Sequence, residues 1–401
     1  MKATLRWAIC LSLLLGSVAF AQRTSSRIPG TPFPCSGQHT LPMECKPVLA
    51  GALSAPPSDL PHPDGGATYI TFDPPNSVGT FVAGLDLLGN VAGWYNDANF
   101  VGHGFLRQTN GIIVSFDDPQ AVYGTFVTAV NDIGVVAGSY WDINQQFAGA
   151  HGFLRTPNGV YVTFDAPDDV NGMNPASINL FGAITGSYFD ENFVTHGFVR
   201  DPFGNLTTFD VPGSGSTNPA SINLEGTVVG QYFDSTGSHG FQRTWDGRIT
   251  TFDGPGGRNT AYYTYGGGAV ASVNLLGTIA TNYFQPIVGN PFGGNHRGAI
   301  RTRQGTYQTF DASTSGPCCT WTYPIAITPD GTTTGYDNDG FSIFHGFVRT
   351  SDGNITLFDV PGAGTGSGEG TIPLAINLFR VVTGQMVDSH HVDHGFVRIP
   401  H

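Results

Sequence analysis

His196-Gly197-Phe198-Val199-Arg200, then Asp201-Pro202-Phe203-Gly204, then Asn205-Leu206-Thr207-Thr208-Phe209-Asp210 is the stretch that decides the fold. Two runs of β-forming residues around a Pro/Gly turn read as an antiparallel hairpin. The unit returns along the chain, with Gly and Phe 12 positions apart in Gly104/Phe116, Gly152/Phe164, Gly197/Phe209, Gly240/Phe252, Gly298/Phe310 and Gly346/Phe358. A constant offset implies a constant strand register. If Gly197 lies opposite Phe209, the bare glycine leaves room for the ring, and His196 falls opposite Asp210 at the hairpin mouth.

Each unit is therefore expected to close with a structural latch. The histidines are His103, His151, His196, His239, His345 and His394; their partners are Asp117, Asp165, Asp210, Asp253, Asp359 and Asp73. At 297–301 the run is Arg-Gly-Ala-Ile-Arg, so Arg297 faces Asp311. A cation meets the aspartate either way, which suits a latch and would spoil a catalytic histidine. A catalytic site is needed once, a latch in every unit.

The ends of the pattern complement each other. Thr68-Tyr69-Ile70-Thr71-Phe72-Asp73 is a second half-hairpin with no first half, and His394-Gly395-Phe396-Val397-Arg398 is a first half with nothing after it. Between them the period is roughly 43 to 58 residues, the range of propellers and solenoids. Each period adds an Ala/Ser-Ile-Asn strand, a tight turn and a Gly-x-Tyr strand, as in Ala176-Ser177-Ile178-Asn179 and Gly186-Ser187-Tyr188. Four strands per unit is the content of one propeller blade. The long glycine-rich link follows Phe-Asp, which places Phe-Asp outermost and Ala-Ser-Ile-Asn innermost. The expectation is an all-β, seven-bladed β-propeller of four-stranded blades, closed by strand 68–73 pairing with strand 394–398. Closure removes the exposed edges of an open array. A linear solenoid is the alternative, but it gives no reason for complementary ends.

The His-Gly-Phe-x-Arg, Phe-Asp-x-Pro and Ile-Asn-x-x-Gly signatures resemble the exported bacterial repeat proteins of the HAF-type extracellular repeat family, in its His-Gly-Phe variant. The resemblance covers residues 67–398 and departs at Arg297-Gly298-Ala299. It implies architecture and export, and brings no catalytic residues.

Three segments are expected: a signal peptide at 1–21, a Pro/Ser/Gly-rich leader at 22–66 and the propeller at 67–401. Lys2 and Arg6 precede an apolar run from Trp7 to Phe20 and the small-residue site Ala19-Phe20-Ala21. The protein is thus expected to be secreted, extracellular or periplasmic, without membrane insertion. The net charge of −13, with 17 Lys and Arg against 30 Asp and Glu, argues against nucleic acid as a partner. Cys35 and Cys45 bracket a Pro-rich stretch, and export makes a disulfide between them an expectation. Cys318 and Cys319 are adjacent and could bridge, stay reduced or pair elsewhere.

Asp142, Asp190, Asp234, Asp337, Asp339 and Asp388 stand at or just beyond the Gly-x-Tyr strands, expected in loops on the latch side. Clustered oxygen ligands make calcium conceivable, yet the spacing fits neither an EF-hand nor a nonapeptide repeat, and turns favour aspartate anyway. No cofactor is expected. Glycoside chemistry wants two carboxylates roughly 5 to 10 Å apart, and the inner strands offer only Asp86. No Gly-x-Ser-x-Gly, His-Glu-x-x-His or phosphate loop occurs. The breaks in the repeat are Tyr262, Tyr263 and Tyr265 among glycines, and Trp321 and Tyr323 after the cysteine pair. Such aromatics suit sugar stacking or a protein contact; equally, they pack over a wider blade. The functional expectation is a secreted binding module for a glycan or extracellular surface component, with leanings away from an enzyme. The alternatives are an extracellular polysaccharide hydrolase or lyase, and a structural envelope protein.

Overall fold

The computed structural model describes residues 66–143, 149–256, 272–287, 290–313 and 321–401, of which 286, 287 and 290–293 as backbone alone. Residues 1–65, with Cys35 and Cys45, lie outside this set, as do Tyr262, Tyr263, Tyr265, Cys318 and Cys319.

The described residues form 28 β-strands and no helix. Dense Gly and Pro with β-branched and aromatic runs leave few stretches in which a helix could propagate. The antiparallel ladders sort the strands by fours. In the unit built on the opening hairpin they are Met173–Ile178, Ile184–Phe189, Thr195–Arg200 and Leu206–Phe209, paired in that order. The ladders do not run on continuously: parallel contacts such as Gly102 with Gly124 join some groups, and the strands divide into one 12-stranded, one 8-stranded and two 4-stranded sheets.

The expected register is present. Gly197 faces Phe209. A Cβ on Gly197 would lie 2.8 Å from the Phe209 ring and 3.0 Å from Pro219, so this position stays bare. The glycine of Gly-x-Tyr has a different reason. The first strand of the unit bulges between Pro175 and Ser177, and that kink carries the carbonyl of Asn174 onto the Cα of Gly186, where any side chain would collide with it.

Ala67–Phe72 pairs antiparallel with Asp393–Pro400, Phe72 facing Gly395 as Phe209 faces Gly197. The N-terminal strand thus completes the group Gly370–Ile376, Val382–Val387 and Asp393–Pro400. The hydrophobic core is a series of small clusters between neighbouring groups. One of them gathers Phe72 and Val397 from this group with Val82, Val91, Tyr95 and Phe105 from the 79–116 group. At about 25 cal/mol per Å² of apolar surface buried, each such cluster stabilises the contact of one group with the next.

Candidate functional site

Within a group of four antiparallel strands, the first–second and third–fourth turns lie at one end. The second–third turn and the link to the next group lie at the other. The latch residues gather at this second end, because the histidine opens the third strand and the aspartate follows the fourth. His103 Nδ1 is 3.0 Å from Asp117, His151 2.8 Å from Asp165, His196 2.9 Å from Asp210 and His239 2.6 Å from Asp253. His345 is 3.0 Å from Asp359 and His394 2.7 Å from Asp73, the last pair joining residues 321 positions apart. Arg297 places Nη2 2.8 Å from Asp311 and turns Nη1 to Gln285 Oε1 at 3.2 Å.

A second carboxylate stands at the far side of each imidazole. Asp190 Oδ2 is 3.6 Å from His196 Nε2, while Asp190 Oδ1 accepts the backbone N–H groups of Asn192 and Val194, both at 2.8 Å. One carboxylate oxygen is therefore locked into the turn and the other faces the ring. The same arrangement brings Asp97, Asp142, Asp234, Asp339 and Asp388 within 3.3–3.8 Å of the Nε2 atoms of His103, His151, His239, His345 and His394. Below the imidazole lies a tyrosine in four units, with Tyr188 and His196 centroids 5.2 Å apart. Each of the six sets is Asp–His–Asp, and four of them rest on an aromatic floor. Asp97 also belongs to the series and was missed, although Gly93-Trp94-Tyr95-Asn96-Asp97 carries it at the offset of Asp190 in Gly186-Ser187-Tyr188-Phe189-Asp190.

The sets are half-open. The aspartates following Phe expose between a third and a half of their side chains, and the histidines between a tenth and a third. Electrostatics favours the charged ring where a shift is resolved. Hydrogen bonds donated to Asp339 and Asp359 push His345 up to about 10. In His394 burial opposes the charge, but the bonds to Asp73 and Asp388 prevail and hold it above the ordinary value. The turn aspartates go the other way: the N–H of Val194 above all holds Asp190 below the carboxylate range. These second–third turns also place Phe100 and Phe193 in the left-handed region, at φ 61° and 59°, with their rings exposed. A bulky residue there carries strain that glycine would avoid.

Three expectations need correction. Tyr323 and Trp321 are not in a loop; they open the strand Trp321–Ile327. Tyr323 is buried because it stacks on His296 and Tyr336, at centroid distances of 5.7 and 5.0 Å, and Trp321 sets its edge against the same histidine. Asp337, expected in a loop, is fully buried within Thr333–Asn338. It takes the place held by tyrosine in other units and accepts hydrogen bonds from Ser313 at 2.7 Å and Thr322 at 3.0 Å. Among the described residues no group of three or more His, Cys, Asp or Glu has the arrangement to hold a metal ion.

Two repeated features carry no expectation from sequence. The arginine ending each third strand lies over the phenylalanine of the preceding unit: Arg155 over Phe116 at 4.4 Å, Arg200 over Phe164 at 5.2 Å, Arg349 over Phe310 at 4.9 Å. The asparagine of Ile-Asn reaches the next unit's backbone. Asn131 Nδ2 donates to the carbonyl of Asn179, Asn179 to Asn223, Asn223 to Asn274 and Asn274 to Thr328, all at 3.0–3.1 Å. The recurrence of Arg and Asn at fixed positions was a visible signal, but in these pairs the partners lie 36 to 54 residues away.

The fold is similar to several solved structures. A streptogramin B lyase aligns at TM-score 0.51 and 15% identity, over 82% of this chain and 97% of that one. A virginiamycin B lyase from Staphylococcus aureus aligns at 0.52 and 14%, over 83% and 99%. A puromycin hydrolase aligns at 0.52 and 12%, over 82% of this chain and 54% of that one. These proteins are β-propeller-like, and at such identity the likeness shows the fold alone. No protein-family model matches the chain, and no curated protein matches it.

Proposed function

We propose that the chain is a seven-bladed β-propeller, shut by its N-terminal strand, that works as an extracellular binding module for a glycan or another surface component. Closure is supported by contacts between the first and last groups. Arg107 lies over Phe72 as each arginine lies over its predecessor's phenylalanine, and Asn377 Nδ2 donates to the carbonyls of Asp86 and Leu87, each at 3.3 Å. The signatures shared with HAF-type repeats support export, as does the leader sequence.

The observation that carries the binding reading is the recurrence of the Asp–His–Asp sets at one end. Six like sites fit a ligand that is itself repetitive, and avidity then multiplies modest single-site affinity. Half-exposed carboxylates accept sugar hydroxyls, and the exposed rings of Phe100 and Phe193 offer apolar faces beside His103 and His196. Latch and ligand site are compatible, because the Nδ1 bond orders a carboxylate that still exposes between a third and a half of its side chain.

A glycan-binding screen tests this, with Phe193→Ala and Asp190→Asn as probes. The expected result is saturable binding weakened roughly tenfold or more in a double Phe100→Ala, Phe193→Ala chain. New reducing or unsaturated ends formed from a bound polysaccharide would instead make the protein a hydrolase or lyase. Absence of binding to any glycan or envelope extract would leave the structural-protein alternative.

A further inference from the structure

The end opposite the Asp–His–Asp sets carries a ring of exposed apolar side chains. Four of the seven first–second turns among the described residues, those opened by Asn131, Asn179, Asn223 and Asn274, have the form Asn-x-x-Gly. The third position holds Leu88, Ile133, Phe181, Leu276 and Phe379, every one more than half exposed, while Glu225 and Asp330 interrupt the series. The asparagine bonds described above tie neighbouring turns together. The remaining neighbours are joined by the Leu87 N–H bonded to the Asp132 carboxylate and by Arg380 to Asp330 at 3.5 Å. These five side chains therefore belong to one crown around a common centre rather than to scattered loops. A contiguous apolar patch of this size on a water-facing end marks an interface.

We infer that this crown is the self-association surface of the protein, and that a second copy of the chain covers it end to end. Area is the first argument. Taking roughly 150–200 Å² for a large apolar side chain, the exposed parts of these residues and of the leucines beside Phe181, Leu276 and Phe379 come to roughly 600–800 Å². A standard interface takes about 800 Å² from each partner.

Charge is the second argument, and it selects the occupant. The protein carries a net charge of −13, so most pairings of two copies repel. The three exposed arginines among the described residues, Arg248, Arg303 and Arg380, all lie in turns at the crown end. There Arg303 lies 3.7 Å from Glu225 and Arg380 3.5 Å from Asp330. The crown end gathers these exposed arginines among carboxylates such as Glu225, Asp246, Asp330 and Asp352, so in two copies related by a twofold axis attraction offsets part of the repulsion, and ion pairs can be exchanged across the boundary. The acidic ends then point outward in opposite directions. This pairing is independent of what those ends bind.

Sedimentation equilibrium of the full-length protein between about 0.1 and 50 μM tests the inference. A mass of two chains is expected, with Phe181→Asp and Leu276→Asp each weakening association roughly 100-fold while circular dichroism and Tm stay unchanged. Monomer at every concentration, or a dimer indifferent to both substitutions, overturns the proposal. Hydrogen exchange gives a measurement that needs no variant. Amides of turns 132–134, 180–182 and 275–277 should gain protection as concentration rises. Protection that is already full in the monomer would mean that residues preceding Gly66, which enter at this end beside His401, cover the crown instead, and would equally overturn it.

Discussion

The guanidinium of Arg107 lies 5.0 Å above the ring of Phe72, on a strand whose one partner among the described residues is the last strand of the chain. Equivalent pairs join ordinary neighbours, so the N-terminal strand acts as the outer strand of the final group. Arg107→Met and Phe72→Leu should each destabilise by about 1–3 kcal/mol. Together they should cost less than their sum by about 0.5–2 kcal/mol in denaturant unfolding. The Arg200/Phe164 pair should give a similar coupling. Zero coupling for Arg107/Phe72 beside a normal value for Arg200/Phe164 would mean that the N-terminal strand does not hold this boundary in solution.

Asn223 bonds twice within a buried turn, accepting from Thr227 N at 2.9 Å and donating to Asn274 O at 3.1 Å. Asn223→Ala leaves both backbone groups without that partner and should cost about 1–3 kcal/mol by chemical denaturation. Asn223→Asp keeps the acceptor and loses the donor, so it should fall between the alanine variant and the parent. A loss below about 0.5 kcal/mol for alanine would show that water replaces the tether.

His345 is held at about 10 when folded, against 6.5 ordinarily, by Asp339 and Asp359. A raised histidine stabilises fully below the unfolded value and loses that contribution as pH climbs through the folded one. Since the ring is part-exposed, the expected loss is about 1–2 kcal/mol between pH 7 and 10. In His345→Gln that alkaline decline should be smaller, with the two proteins converging near pH 10. Parallel stability curves for the parent and the variant would sink the idea.

Asp393 shifts stability in the same direction for a different reason, because here the neutral form is favoured. Burial, helped by the charge of Asp388, raises its carboxyl to about 7, and its Oδ1 has no hydrogen-bond partner. The folded state binds this proton more tightly than the unfolded chain, so stability falls as pH rises from about 4 to 7 and stays lower above. Asp393→Asn should raise stability by about 1–3 kcal/mol at pH 8 and change little at pH 4, measured by thermal unfolding. A destabilised variant at pH 8 would instead assign the carboxylate a bonding role.

Most of the repeat was legible because it depends on local chemistry. The Gly197–Phe209 spacing set the hairpin register, and the same register carried His196 to Asp210 and, across the termini, His394 to Asp73. The second carboxylate of each set was half-legible. Its position beyond the Gly-x-Tyr strand placed it at the right end, yet a five-residue turn had to fold back before Asp190 could meet His196. Asp337 misled for a physical reason: it stands two positions before the turn aspartate Asp339, still within the strand and opposite His345, where neighbouring strands cover it as they cover the tyrosine of other units.

Pairings between units lay beyond the sequence, since Arg155 and Phe116, or Asn179 and Asn223, meet only once two four-stranded groups have packed together. The exposure of Trp321 and Tyr323 was misjudged likewise, because burial depends on what the neighbouring unit supplies, here His296. The sequence by itself determined the strand, the turn and the cross-strand partner, for these follow from side-chain period and turn chemistry over a few residues. Tertiary structure alone decided which aromatic is covered, which arginine lies on which ring, and which asparagine ties one unit's turn to the next. Those outcomes depend on distances between units that no local pattern encodes.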